Sequence, residues 1–197
     1  KKVKKNLIQR LLLDDKKINQ LFNNDLFNVK FEFAEFDLEN TFSFKINNKY
    51  KIDDLKINSL MNLKSSKILS SKNLKEFFPE LNEIIELSDH QIQIEYKKDF
   101  LSIIGNGNIL IQKEKDNINY NFSKSKTNLK FDTSLEIKKN PFHLNFLNYK
   151  KDQDDKLKIV ILGAKNLLSN EINLKDISIK EKNNKFEFKN LLLSNKY

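Results

Sequence analysis

The residues able to do chemistry are few, and their spacing argues against catalysis. His90 and His143 are the only histidines; neither has a neighbour at ligand spacing, and each reads as a surface histidine, with His143 on the polar side between Phe142 and Leu144. The carboxylate pairs Asp14-Asp15 and Asp53-Asp54 have no nucleophile or base beside them, so acid–base catalysis lacks its second partner. Asp152-Gln153-Asp154-Asp155 begins like a calcium loop. Leu157 then stands where such a loop needs glycine and Gly163 where it needs a bidentate acid, so a solvated hairpin tip is expected. Gly105-Asn106-Gly107 begins a dinucleotide fingerprint, but Leu110 replaces the third glycine and strand-like segments flank it on both sides. Two glycines two apart lie on one face of a strand, where they allow sharp curvature or the close approach of another group. Asn121-Phe122-Ser123 fits a glycosylation sequon, a pattern short enough to arise by chance. The expected chemistry is therefore non-enzymatic, with no metal and no cofactor.

The charge balance narrows the partners. The net charge is +9, and of 36 basic residues only Arg10 is arginine. Arginine's planar fork is the usual tool for bidentate phosphate and guanine contacts, so lysines spread over every segment describe a solvated surface better than a specific nucleic-acid site. There is no cysteine, which excludes disulfides and thiolate chemistry. No run of about 18 apolar residues is present, and Lys1 to Arg10 lacks the apolar core of a signal peptide. Any targeting or anchoring segment is expected outside this piece.

Hydrophobic periodicity organises the rest. From Gln91 to Phe146, apolar residues recur at every second position with charged or amide residues between them, the signature of strands with one oily side. Short joints such as Lys113 to Asn117, Lys124 to Asn128 and Lys138 to Asn140 suit antiparallel neighbours. Val29 to Leu38 reads as a strand with a bulge at Ala34/Glu35, and Asp53-Asp54 shifts the phase of the segment leading to Leu63. Leu157 to Gly163, apolar on both sides, reads as a strand covered on both faces. Two stretches depart from period two. Leu7, Ile8, Leu11, Leu12, Ile18, Leu21 and Phe22 follow helical spacing, so residues 1–27 are expected to hold an amphipathic helix that caps the sheet or touches a membrane. Leu74, Phe77, Phe78, Leu81, Ile84 and Ile85 predict a helical insertion at about 72–85, short or bent because of Pro79, that plugs the sheet. The expected fold is mainly β: a long twisted antiparallel meander over residues 28–197, with roughly ten to twelve strands and two short helices.

The oily side collects Phe31, Phe33, Phe42 and Phe44 early in the chain, then Ile92, Ile94, Tyr96 and Ile103. It continues with Ile118, Tyr120, Phe122, Leu129, Phe131, Leu135 and Ile137, then with Phe142, Leu144, Phe146, Ile159, Ile161, Phe186 and Phe188. Two helices cannot cover so many strands, which leaves a dry sandwich or an open groove filled by something else. Sixteen phenylalanines, no tryptophan, three glycines and two prolines favour the groove, since sandwich corners use glycine and proline freely. An open strip would exceed the roughly 300–600 Å² of contiguous apolar surface that monomers tolerate. One 16-carbon acyl chain contributes roughly 12 kcal/mol on burial before ordering costs, enough to offset that exposure, and rim lysines could hold phosphate head groups.

Certain stretches resemble a known family: Lys49-Tyr50-Lys51-Ile52-Asp53-Asp54-Leu55-Lys56-Ile57, Ile94-Glu95-Tyr96-Lys97-Lys98 with Ile103-Ile104-Gly105-Asn106-Gly107, Lys139-Asn140-Pro141-Phe142, and Lys185-Phe186-Glu187-Phe188. From Asn28 to Tyr197 the chain is similar to the AsmA-like proteins of Gram-negative envelopes, of the YhdP and TamB type, which belong to the repeating β-groove lipid-transfer proteins. The resemblance implies a taco-shaped, U-shaped open groove that carries phospholipid acyl chains across the periplasm. It implies inner-membrane anchoring through segments outside this chain and edge strands that pair with flanking β-segments of the same longer protein. The alternative is a structural or interaction β-sandwich module in outer-membrane assembly, with no bound lipid.

Overall fold

The computed structural model describes residues 2–14 and 31–193. Ten strands form one antiparallel sheet in the order β1-β2-β3-β4-β5-β6-β7-β10-β11-β12: β1 (Lys2–Asp14), β2 (Phe31–Ile46), β3 (Ile52–Leu69), β4 (Ile84–Lys97), β5 (Phe100–Leu110), β6 (Lys115–Lys124), β7 (Asn128–Ile137), β10 (Leu157–Asn166), β11 (Ile172–Glu181) and β12 (Asn184–Leu193). Sequence neighbours are sheet neighbours throughout, apart from an insertion after β7. That insertion holds a small two-stranded ribbon, β8 (His143–Leu144) with β9 (Tyr149–Lys150). The sheet is an open meander, as the alternation predicts, and its two edges are β1 and β12.

Register shows how one face stays apolar. Leu38, Met61, Ile92, Gly105, Tyr120, Thr133, Ile161, Ile177 and Phe188 stand opposite one another in turn, a continuous row across nine strands. Because side chains alternate between faces, every second residue along each strand shares that face, and its partners carry it across the sheet. The opposite face presents Glu39, Asn58, Gln93, Asn119 and Asp132 among others.

Phase slips in the sequence are absorbed by bulges. Ser43 pairs Lys56 while Lys45 pairs Asp53, which leaves Asp54 as an extra residue in left-handed backbone (φ 54°), the slip expected at Asp53-Asp54. In β4 the pairing jumps between Ser88 and Gln91 around Asp89 (φ 57°). In β11 Lys175 is the extra residue opposite the Leu162/Gly163 step, and Asn190 (φ 56°) follows it in β12. Asp and Asn tolerate this backbone better than other non-glycine residues, so the turns and bulges use them.

Several expectations are corrected. Residues 5–14 form strand and not helix: β1 pairs along its whole length with β2. Val3, Leu7, Leu11 and Leu13 match the positions of the apolar face at period two as well as Leu7, Ile8, Leu11 and Leu12 match a helix. The free hydrogen-bonding edge of β2 supplies what a helix would have left open. Residues 2–14 thus belong to the sheet, and the rest of the expected 1–27 unit, with Ile18, Leu21 and Phe22, lies outside the described residues, as does Val29. The helix expected at 72–85 shrinks to a 3-10 turn over Lys72–Glu76, because Pro79 removes a donor and Ile84 and Ile85 join β4 opposite Leu69 and Ile68. The bulge expected at Ala34/Glu35 divides in two, with the extra residue at Glu32 in β2 and at Lys64 in β3. Lys138 to Asn140 is not a hairpin joint, since the chain leaves the sheet there. Strand β10 is not covered on both faces: Val160 and Leu162 are half-buried on the polar side, opposite Ser134 and Asp132.

Gly163 shows how tightly the face is fitted. It pairs Phe131, whose ring lies over it so closely that a Cβ would stand 2.5 Å from the ring carbon Cζ. Gly163→Ala is expected to cost about 1–3 kcal/mol in urea unfolding, as overpacking does, and Phe131→Leu in the same chain is expected to recover part of it.

Candidate functional site

Among the described residues two long connections cross the same end of the apolar face. One links β3 to β4 through the 3-10 turn; the other, residues 138–156, links β7 to β10 and carries the ribbon and a second 3-10 turn at Asn145–Leu147. They lock together through the amide of His143, which donates to the carbonyl of Phe77 at 3.0 Å, and through Phe142, which stacks on Phe77 and meets Phe78 edge-on. Phe78, Phe142 and Leu144 press on Ile109, Ile137, Leu157, Ile159 and Ile179 of the sheet to make the main core. The plugging role expected of the 72–85 stretch holds, although the helix does not.

Buried polar groups hold this lid down. Gln112 accepts from the amide of Glu80 (2.9 Å) and donates to the carbonyl of Pro141 (2.8 Å), so one side chain ties both insertions to the β5–β6 turn. Asp116, fully buried, accepts from the Lys138 amide at 2.9 Å and from the Asn140 side-chain NH₂ at 2.7 Å. Burial raises its carboxyl above the ordinary range, against the lowering effect of those two donors. Glu181 accepts from the Tyr149 hydroxyl (2.7 Å) and the Asp152 amide (2.9 Å). Burial, and then that carboxylate, push the Tyr149 hydroxyl upward.

Where the two insertions lift off the sheet, a half-open cavity of about 690 Å³ remains. Fourteen of its lining residues are apolar, and Thr133 and Ser134 are the only polar ones. The sheet contributes Ile118, Leu135, Ile159, Ile161, Ile177, Ile179, Phe188 and Leu191, and the insertions contribute Leu74, Phe77, Phe78, Phe142, Leu144 and Phe146. Its size falls within the roughly 300–1,000 Å³ of small-molecule sites. A second apolar cluster lies on the same face nearer β2, where Ala34, Phe36, Leu63 and Ile92 are buried beside Leu38, Met61, Ile94, Ile103 and Tyr120.

Most residues singled out in the sequence fall on this face. Register places Phe42, Phe44, Ile92, Ile94, Tyr96, Ile103, Ile118, Tyr120, Phe122, Leu129, Phe131, Leu135, Ile137, Ile159, Ile161, Phe186 and Phe188 there. Phe31 stands opposite Ile68 on the same row, but Phe33 lies on the other face, opposite Lys67, because the extra Glu32 reverses the phase. Phe142, Leu144 and Phe146 do not belong to a sheet strand: the first two are buried in the lid, and Phe146 is 67% exposed at the mouth. Ile137 is fully buried under the lid and offers no free surface. The reading missed Leu74, Phe77 and Phe78 as walls of the cavity, although their apolar spacing had marked them as a plug. It also missed Ile177, Ile179 and Leu191, which the Lys175/Asn190 slip had put out of phase.

His90 is no surface residue. By alternation it shares the apolar face with Ile92 and Ile94, and there it is 1% exposed over Gly107, whose hydrogen leaves room for the ring. Its Nε2 lies 2.9 Å from the Asn108 carbonyl, which only accepts, so that nitrogen carries the proton and Nδ1, 3.2 Å from the Tyr120 hydroxyl, accepts from it. Burial lowers the histidine's pKa below 6.5, more than the Asn108 hydrogen bond and the nearby Asp89 charge raise it, and burial pushes the Tyr120 hydroxyl up to about 12.

Among the described residues, no group of three or more His, Asp or Glu could hold a metal ion, and no helix is long and apolar enough to cross a membrane. Compared with known proteins, the chain matches no family model, no curated protein and no solved structure.

Two outcomes test this polar frame. Asp116→Asn removes a buried charge yet sets an NH₂ against one of the two donors, so it is expected to destabilise by about 1–3 kcal/mol in urea unfolding, where simple relief of desolvation would stabilise. For His90, the unfolded chain takes up a proton below pH 6.5 that the folded chain refuses, so stability falls as pH drops below 6.5 towards the lower folded pKa and is unaffected above it. Melting temperatures between pH 7.5 and 5.5 should show that slope, and His90→Phe should flatten it.

Proposed function

We propose that this chain is a non-enzymatic lipid-binding segment that holds acyl chains against the apolar face of its sheet. The observation that carries the reading is the half-open cavity of about 690 Å³ whose walls are apolar but for Thr133 and Ser134. A site with so few hydrogen-bonding groups favours hydrocarbon over any polar metabolite, and each methylene buried there contributes about 0.8 kcal/mol. In this reading the open meander curls about its apolar face into a U-shaped trough, and the row from Leu38 to Phe188 lines the trough floor. The AsmA-like resemblance fits the same picture: a segment of a longer envelope protein, working in the periplasm and anchored to the inner membrane through parts outside this chain. Edge strands β1 and β12 would then pair with flanking β-segments of that protein, which would remove two open edges. The rival reading, a dry sandwich scaffold, needs a second sheet of comparable size. Among the described residues the other sheet is a ribbon of two two-residue strands.

Native mass spectrometry of protein purified without detergent should reveal bound phospholipid, and delipidated protein should take up a palmitoyl probe. Ile161→Trp, which fills the cavity from the sheet side, is expected to weaken that uptake at least tenfold while leaving the far-ultraviolet circular dichroism of the sheet in place. A delipidated wild-type chain that stays monomeric and takes up no acyl probe would overturn the reading.

A further inference from the structure

The apolar face is not uniform along its length. At the end away from the lid its last complete row runs Lys5, Phe42, Ile57, Tyr96, Leu101, Lys124, Leu129, Lys165, Ile172 and Leu193, each the register partner of the next. Away from Lys5 on the edge strand, two lysines thus flank Leu129 in an otherwise apolar row, on strands about 10 Å apart, two inter-strand spacings. Both are half-buried, and neither belongs to an ion pair among the described residues. Between Ala34 and Leu193 they are the only basic residues the sheet strands place on this face. The only acids there, Asp116 and Glu181, are buried under the lid at the other end and already satisfied.

Resting on the lipid-binding reading above, we infer that Lys124 and Lys165 form the head-group end of the site, and that one acidic phospholipid lies along β6, β7 and β10 with its phosphate between the two ammonium groups and a tail under the lid. The geometry supplies the right length. From the Lys124–Leu129–Lys165 row to the Ile118–Leu135–Ile159 row is six residues, about 20 Å along the strands, and an acyl chain spans about 15 Å of a bilayer leaflet. The tail crosses Phe122 and Phe131, whose ring lies down over Gly163, passes Thr133 and Ile161 into the cavity, and ends against Leu135 and Phe142. The lysine stems lie along the apolar row while their charged ends converge on the head. A head group reversed to the lid end would meet the carboxylates of Asp116 and Glu181, and the one lysine facing them, Lys151, is buried and donates to the Asp152 carbonyl.

The test compares two probes with the same tail, 1-palmitoyl-lysophosphatidylglycerol and uncharged 1-palmitoylglycerol, titrated calorimetrically below their micelle concentrations against the full chain and against Lys124→Gln/Lys165→Gln. The wild-type chain is expected to prefer the anionic probe about tenfold at low salt, the size that two solvent-facing ion pairs supply, and to lose most of that preference at 0.5 M salt. The double variant is expected to bind both probes alike, with its affinity for 1-palmitoylglycerol unchanged. An anionic preference that survives in the double variant, or is absent from wild type, overturns the head-group assignment while leaving the lipid reading intact. Failure of both probes to bind overturns the lipid reading and this assignment with it. Inorganic phosphate alone is expected to show no measurable binding; saturable phosphate binding lost in the double variant would assign the lysines to a free anion and overturn the part played by the tail.

Discussion

Everything in this molecule depends on keeping ten strands in phase, so that each turns its apolar residues to the same side of a single sheet. Side chains alternate with period two, and one misplaced residue would turn the remainder of a strand inside out. The chain contains several such offsets, and each is met by an extra residue outside the pairing. Glu32, Lys64, Asp54, Asp89 and the Lys175/Asn190 pair all serve in this way. Three of them are Asp or Asn with positive φ, a conformation their short polar side chains adopt at small cost. The same bulges do positive work. The one at Asp89 carries Leu87 onto the face that His90 and Ile92 already occupy, and the one at Lys175 does the same for Leu174 and Leu191 beside Ile177 and Phe188.

The strands and their common face were legible because a half-buried antiparallel strand must alternate and this one does so for long stretches. Asp53-Asp54 could be identified as a slip because alternation resumes beyond it in the opposite phase. The Gly105/Gly107 spacing pointed to a close approach, which His90 and Tyr120 make. Where the reading failed, two periodicities fitted the same residues. In Leu7 to Leu13 the run Leu11-Leu12-Leu13 satisfies period two and period 3.6 alike, and the decision came from the unpaired edge of β2, which lies some 30 residues away in sequence and leaves no local mark. Phe142/Leu144/Phe146 shows the converse: three alternating residues look like a strand, but a segment anchored at every second side chain as it crosses a sheet end has the same spacing. Its departure from the sheet is written in Asn140, whose amide turns back to the carbonyl of Glu114 and to Asp116.

His90 illustrates a different limit. Its immediate neighbours Asp89 and Gln91 are polar, and only its phase with Ile92, Ile94 and Tyr96 puts it on the apolar side. It is interior because it continues the alternation of Ile92 and Ile94, because Gly107 leaves the space its ring needs, and because a carbonyl and a hydroxyl satisfy both nitrogens. Burial without those partners would cost more than the site could recover. The three conditions come from β4, β5 and β6, so only the assembled sheet brings them together.

The polarity of the site, one end closed and one end open, follows from where the long connections fall. An antiparallel meander returns to the same end at every second turn. Among the described residues the extended connections, between β3 and β4 and between β7 and β10, occupy the end where β5 stops and β6 begins, while the opposite end is joined by nothing longer than residues 47–51, 98–99, 125–127 and 167–171. Tight turns cannot reach back over the face. The longer segments can, and their phenylalanines have no apolar surface to bury against except the sheet end beneath them. Once they are seated, Asp116 and Glu181 are enclosed at one end with Lys151 beside them, and Lys124 and Lys165 are the charges that the middle strands β6 and β10 place at the other. The face thus acquires a direction that no single strand possesses, with an apolar pocket at its closed end and unpaired cations at its mouth. That is the arrangement an amphiphile with one charged end would match in only one orientation.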